Sequence, residues 1–253
     1  MKVCALALVL AFVATPAAAA ELWASDDGEV AWHAAGFVKS QVLGLDYREL
    51  DAWKALARAD RAAEETLRAR LGTDLYWGDA RLSLEGELCT SLQTTGWLTA
   101  ATGAGFGATT ARPRLWDPSP WGGDGVHVAP DLDRAFVSLA LGPVDLKLGR
   151  QAVSWGSAWF WKPTDRFGPF SPTDVDPDVK RGVDAARAEL ALGPETTLDL
   201  VATFERHPGT DRPFWAHGGA RLRTTLARFD LALSVARFQG GAEGDWMVGA
   251  EAS

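Results

Sequence analysis

An all-β fold, built as an antiparallel transmembrane β-barrel, is predicted by three observations on this sequence. Apolar residues recur at every second position in segment after segment, with polar residues between them. A period of two marks a strand with two unlike faces, whereas a helix repeats near 3.6. The polar face of these segments is charged, and the apolar face is Leu, Val and Ala with aromatic residues towards the segment ends. That suits a hydrated interior and a lipid-facing exterior with aromatic girdles. Finally, the connections alternate between minimal turns and long loops, the asymmetry that membrane barrels show between their two rims.

The first element lies outside the predicted fold. Lys2 and the apolar run VCALALVLAFVA precede TPAAAA, a stretch ending in small residues ahead of Glu21. This is the pattern of a secretory leader over 1–20, cut between Ala20 and Glu21. Its apolar core is shorter than the ~20 residues of a helical span. Next comes an acidic segment, 21–29, with Glu21, Asp26, Asp27 and Glu29 and no basic residue. The barrel domain is then 30–253.

About ten strands are predicted, at 30–46, 64–76, 79–93, 131–141, 144–155, 182–192, 196–205, 215–226, 228–239 and 244–253. In 81–92, Leu82, Leu84, Leu88 and Leu92 share one face and Arg81, Glu85 and Glu87 the other; in 197–205, Leu198, Leu200, Ala202 and Phe204 oppose Asp199, Thr203 and Glu205. In 228–238, Phe229, Leu231, Leu233 and Val235 oppose Asp230 and Ser234. The stretch 49–72 is rich in helix formers. It divides into a short helix over 49–61 and a strand from 64, with a single helix through 71 as the alternative. Trp77-Gly78-Asp79, Leu141-Gly142-Pro143-Val144, Leu192-Gly193-Pro194-Glu195 and Ala227-Arg228 are the tight turns. They are assigned to the periplasmic rim. The long connections, roughly 47–62, 95–130, 156–181 and 206–213, are assigned to the extracellular one.

Strand 144–155 contains a conflict. Val144, Leu146 and Leu148 face lipid, and strict alternation carries Arg150 onto the same face. An arginine near the bilayer midplane costs about 2–4 kcal/mol. A β-bulge at Gly149 would turn Arg150 inward and point Val153 and Trp155 outward into the girdle; the alternative is an Arg150 that reaches the interface.

Composition excludes several functions. The chain has 25 basic and 33 acidic residues, and without Lys2 the net charge is −9, so nucleic acid is not an expected partner. After leader removal Cys89 is the only cysteine, which rules out an internal disulfide in an exported chain. The four histidines, His33, His127, His207 and His217, show no metal-ligand spacing, and neither a C-x-x-C-H nor a G-x-S-x-G motif occurs. Asp174, Asp176 and Asp178 alternate, but Val179 and Ala185 stand where a calcium loop needs Gly and Glu. No enzyme activity, metal or cofactor is expected.

The segments GRQAVSWG (149–156), KPTDRFGPF (162–170) and RGVDAARAEL (181–190) resemble a pattern of Gram-negative outer-membrane porin-like barrel proteins, with the likeness covering about 144–192. The resemblance implies a porin-type channel in the outer membrane for passive diffusion of small polar solutes, or a barrel sheath holding an exported partner such as an electron-transfer cytochrome. An outer-membrane hydrolase is a third class. Outer-membrane lipid is the expected surrounding, and a homo-oligomer is compatible with it. Members of this group end in a strand with a terminal aromatic residue, whereas this chain ends in Gly-Ala-Glu-Ala-Ser253. Together with the small strand number this suggests a truncated product.

Two sets of residues are site candidates. The loop 156–181 is stiffened by Pro163, Pro169, Pro172 and Pro177 and rich in aromatics. It can fold inward as a constriction, with Trp159, Trp161, Lys162, Asp165, Arg166 and Phe170 as its key residues and Lys162, Asp165 and Arg166 exposed to solute; a lid over the rim is the alternative. The lumen lining is Arg68, Arg70, Arg81, Glu85, Glu87, Lys147, Arg150, Arg187, Glu189, Asp199, Arg221 and Arg223. With Asp74, Asp145, Glu205 and Asp230, inward bases and acids balance at eight each, so no charge-based ion selectivity is predicted. The stretch LWDPSPWGGDG (115–125) could contact a saccharide, although a rim loop explains it more simply.

Overall fold

A computed structural model describes residues 7–14, 18–46, 61–93, 113–123, 125–156, 164–168, 180–206, 214–239 and 244–253. Thirteen strands and no helix occur among them. They are β1 (Ala7–Ala14), β2 (Ala18–Ala24), β3 (Val30–Asp46), β4 (Arg61–Trp77), β5 (Ala80–Gln93), β6 (Trp121–Gly123), β7 (Val126–Leu141), β8 (Val144–Gln151), β9 (Val183–Gly193), β10 (Thr196–Arg206), β11 (Phe214–Leu226), β12 (Phe229–Phe238) and β13 (Asp245–Ala252).

All ten strands predicted from periodicity are present. The sequence pattern did not anticipate β1, β2 and β6. β4 is strand from Arg61 onward, which overturns the alternative of a single helix through 71. Cross-strand pairing and burial of one face outweigh the helix propensity of its Ala, Glu and Arg residues. The short helix expected over 49–61 lies outside the described residues except at Arg61.

The strands form one antiparallel sheet, ordered along the chain from β3 to β13, with β1 and β2 both on the far side of β3 and β6 beside β7. Among the described residues the sheet does not close on itself. The expected leader and its cleavage point lie in β1 and β2, where Ala20 pairs with Ala34 and Glu21 with His33. The tight turns fall where predicted, all on one rim. Gly78, Gly142 and Ala227 take positive φ at their first central positions, as hairpins of the II′ kind require.

Burial follows the alternation, and it is inverted relative to a soluble protein. In β4, Arg68 and Arg70 are buried while Leu67 and Leu71 are exposed, at 3% for Arg68 against 70% for Leu71. In β12, Ala232, Ser234, Ala236 and Phe238 are buried, and Leu233 and Val235 face out. The polar face is the inner one, and the structure's buried apolar cluster also lies there.

The conflict at Arg150 is resolved by burial, without the bulge that was expected. Pairing of β8 with β7 and β9 runs through Gly149 and Arg150 without a register shift. Gly149 instead adopts a φ of +118°, and a Cβ there would meet the Ala135 carbonyl oxygen at 2.2 Å. That backbone conformation is open to glycine and strained for other residues, and Arg150, paired in register with Asp184, is buried. The bulge occurs one strand away, where Glu85 pairs with Arg134 and Gly86 with Leu132, leaving Asp133 as the extra residue. A second expectation is corrected by the absence of a bulge at Gly149, because positions 153 and 155 keep the parity of Lys147 and Gln151. Val153 and Trp155 do not enter an outer girdle but are fully buried on the inner side.

Candidate functional site

Two chain segments cross the inner face, and the charged wall is organised around them. The first is 152–156 with 164–168. Trp155 reaches from the end of β8 over to β10, where its Nε1 donates to Asp199 Oδ2 at 2.9 Å. Its ring lies over Gly219 of β11, where a Cβ would sit 2.7 Å from the indole. Phe167 stands edge-on to Trp155 with ring centroids 4.7 Å apart, and 5.1 Å from Phe238. Val153, Val183, Ala185, Val201, Ala236 and Met247 complete the cluster. The small inward residues Gly219, Ala232, Ala236 and Gly249 make the hollow, and Thr164 fits over Gly249 so closely that a Cβ there would lie 2.4 Å from Thr164 Cγ2.

Polar contacts fix this segment in place. Asp165 accepts from the Trp155 backbone N–H at 3.1 Å and pairs with Lys180 at 2.5 Å. Thr164 Oγ1 donates to Glu251 at 2.6 Å. Arg166 lies 4.5 Å over the Phe238 ring and 3.6 Å from Asp245. The expectation that Asp165 faces permeating solute is therefore corrected. It is 3% exposed and acts as an internal anchor, because a buried carboxylate needs a cation and donors and finds both here. Arg166 remains partly exposed. Trp159, Trp161, Lys162 and Phe170 lie outside the described residues.

The second segment is 113–117, which straps the long-loop end of β7 to β10. Pro113 accepts from the Asp184 N–H at 2.9 Å, Leu115 N donates to Asp184 Oδ2 at 2.7 Å, and the Arg114 carbonyl accepts from Arg206 N at 3.0 Å. Arg114 itself is buried. It donates to the Gly182 carbonyl at 2.7 Å and pairs with Asp131 at 2.5 Å and Asp117 at 2.6 Å. Burial pulls its pKa down, but the hydrogen bonds and charges of Asp131 and Asp117 outweigh burial and hold it above the ordinary guanidinium value.

Around this strap the wall is a continuous ionic cluster. Arg68 pairs with Glu87 at 2.8 Å, and Arg70 bridges Glu85, Glu87 and Asp133. Arg134 meets Asp133 at 2.6 Å, Arg150 meets Asp184 at 2.7 Å, and Arg181 meets Asp131 at 2.9 Å. Arg150 also donates to the carbonyls of Leu132 and Trp116. Nearer the short turns, Arg187 holds Asp199 and Glu189, each at 2.8 Å, and Arg221 holds Glu251 at 2.8 Å. Arg223 is 3.7 Å from Glu189. Arg81 pairs with Asp74 at 2.9 Å and stacks on Tyr76 and Phe136, and Lys147 sits 5.0 Å over the Phe136 ring.

Of the twelve residues named for the wall, Arg68, Arg70, Glu87, Arg150, Asp199 and Arg221 are buried, whereas Arg81 and Arg223 are partly exposed. Sequence reasoning missed Arg114, Asp131, Asp133, Arg134, Lys180 and Asp184. Asp133 and Arg134 are adjacent and violate alternation, a signal of the bulge. Arg114 lies in a Pro-flanked loop stretch with no periodicity to place it. Comparison with protein-family models, curated proteins and solved structures finds no match to this chain.

Proposed function

We propose that this chain forms the wall of an outer-membrane barrel of porin type, through which small polar solutes diffuse passively. The observation that carries the reading is the inverted burial. Leu71, Leu148, Leu233 and Val248 stand exposed on one face, while Arg68, Arg70, Glu87 and Asp199 are buried on the other. A water-soluble chain rarely exposes a contiguous apolar surface of more than a few hundred Å², whereas lipid requires one. Exposed aromatics towards strand ends, Trp23, Trp77, Phe214, Phe229 and Trp246, suit the interfacial girdles.

In this reading the inward segment around Trp155 and Phe167 is the constriction. Neighbouring charges of the wall largely neutralise one another, so passage depends on size and polarity more than on the sign of charge. Filling of the β9–β13 wall by the chain itself favours a channel over a sheath for a protein partner. The test is membrane fractionation followed by planar-bilayer recording on the purified native protein. Recovery in the outer membrane with discrete conductance steps is expected. A monodisperse protein that stays soluble without detergent would overturn the reading.

A further inference from the structure

A second compartment lies on the short-turn side of the Trp155 segment. It is a cavity of about 510 Å³, within the ~300–1,000 Å³ range of small-molecule sites. Ser154 and Gly156 border it on the segment's side, and Thr197, Arg221 and Arg223 border it on the wall. Its charges are unequally engaged. Arg221 is committed to Glu251 at 2.8 Å. Arg223 is half exposed and only 3.7 Å from Glu189, a carboxylate already held by Arg187 at 2.8 Å. Asp230 accepts from Thr225 Oγ1 at 2.7 Å. Neither Asp230 nor Glu195, both bordering the cavity, has a basic group within ion-pair distance among the described residues. The cavity therefore presents an under-used guanidinium from β11 and carboxylates from β12 and the β9–β10 turn.

We propose that this cavity holds a small zwitterion of the amino-acid or dipeptide type, its carboxylate on Arg223 and its ammonium on Asp230 or Glu195. With Arg221 and Glu251 paired to each other, a simple anion would leave Asp230 and Glu195 uncompensated, and a simple cation would leave Arg223 uncompensated. A neutral solute would desolvate both signs and pair with neither. The inference rests on the inner face being a channel interior, where a solute would pause beside the constriction.

The experiment is calorimetric titration of glycylglycine, acetate and ethylamine into the full chain in detergent, repeated with Arg223→Gln and Asp230→Asn. Both positions are solvent-exposed, and circular dichroism checks that each variant keeps its strand content. Glycylglycine is expected to bind at least about tenfold more tightly than either single-charge probe, and each variant to weaken it by about tenfold or more. Acetate binding as tightly and responding only to Arg223→Gln overturns the proposal in favour of an anion site. Ethylamine binding as tightly and responding only to Asp230→Asn overturns it in favour of a cation site, and so does absence of glycylglycine binding to a folded chain. Bilayer recording of the same samples separates the two levels. Conductance without glycylglycine binding defeats the zwitterion site alone, and absence of conductance defeats the channel reading.

Discussion

At Ala227 the backbone holds a φ of 59°, the only positive value outside glycine among the described residues. Gly78 and Gly142 occupy the equivalent position in two other tight turns, and a Cβ in this region is disfavoured by roughly 1–2 kcal/mol. Glycine also gains freedom in the unfolded chain, which offsets part of that. Ala227→Gly is therefore expected to stabilise the protein by about 0.5–1 kcal/mol, read as a higher denaturant midpoint with an unchanged slope. Asp27 offers a pH-dependent counterpart. A hydrogen bond from Ser25 and one from the Glu29 backbone N–H lower its pKa below the ordinary carboxylate value. A depressed carboxylate stabilises its surroundings above its unfolded pKa and loses that contribution as pH falls through the folded value. The Glu29 amide should accordingly lose protection, measured against its intrinsic exchange rate at each pH, once the medium is acid enough to protonate Asp27, and Asp27→Asn should remove that change.

Between elements, the decisive contact is that of the inward segment with the floor of small residues. Gly219 leaves room for Trp155, and a Cβ there would press on both the indole and the Ala236 methyl, at 2.7 and 2.8 Å. Gly219→Ala is expected to push the Trp155 segment off the wall and raise single-channel conductance while the strands persist. An unchanged conductance would show that this segment does not narrow the path. The sequence made the inward fold of this loop conceivable through its prolines and aromatics. The inward face of Trp155 follows from alternation with Lys147 and Gln151, and only the bulge expected at Gly149 pointed it outward. Arg114 was illegible because, beyond the neighbouring Asp117, its partners Asp131 and the Gly182 carbonyl come from two distant stretches of chain.

For the whole molecule, the two faces differ in what they tolerate. Leu71 is 70% exposed on the outer face, and in lipid an arginine near mid-depth there costs about 2–4 kcal/mol. On a soluble protein an exposed Leu→Arg change stays within about 0.5 kcal/mol. Folding of Leu71→Arg into lipid vesicles, followed by denaturant titration, distinguishes the two. A loss of the larger size is expected, and a near-zero change would place Leu71 in water.

The all-β class, ten strands close to their observed bounds, the tight turns and the sorting of side chains into an apolar and a charged face are all carried by the amino-acid order. These are local properties, written in a period of two and in turn residues at fixed offsets. What fills the charged face emerges from the assembled sheet alone. The bulge at Asp133, the burial of Arg150, Trp155 and Asp165, and the Arg114 strap each depend on groups far apart in sequence. No periodicity encodes such meetings, since they arise when a curved sheet brings distant strands and the loops between them over the same few side chains.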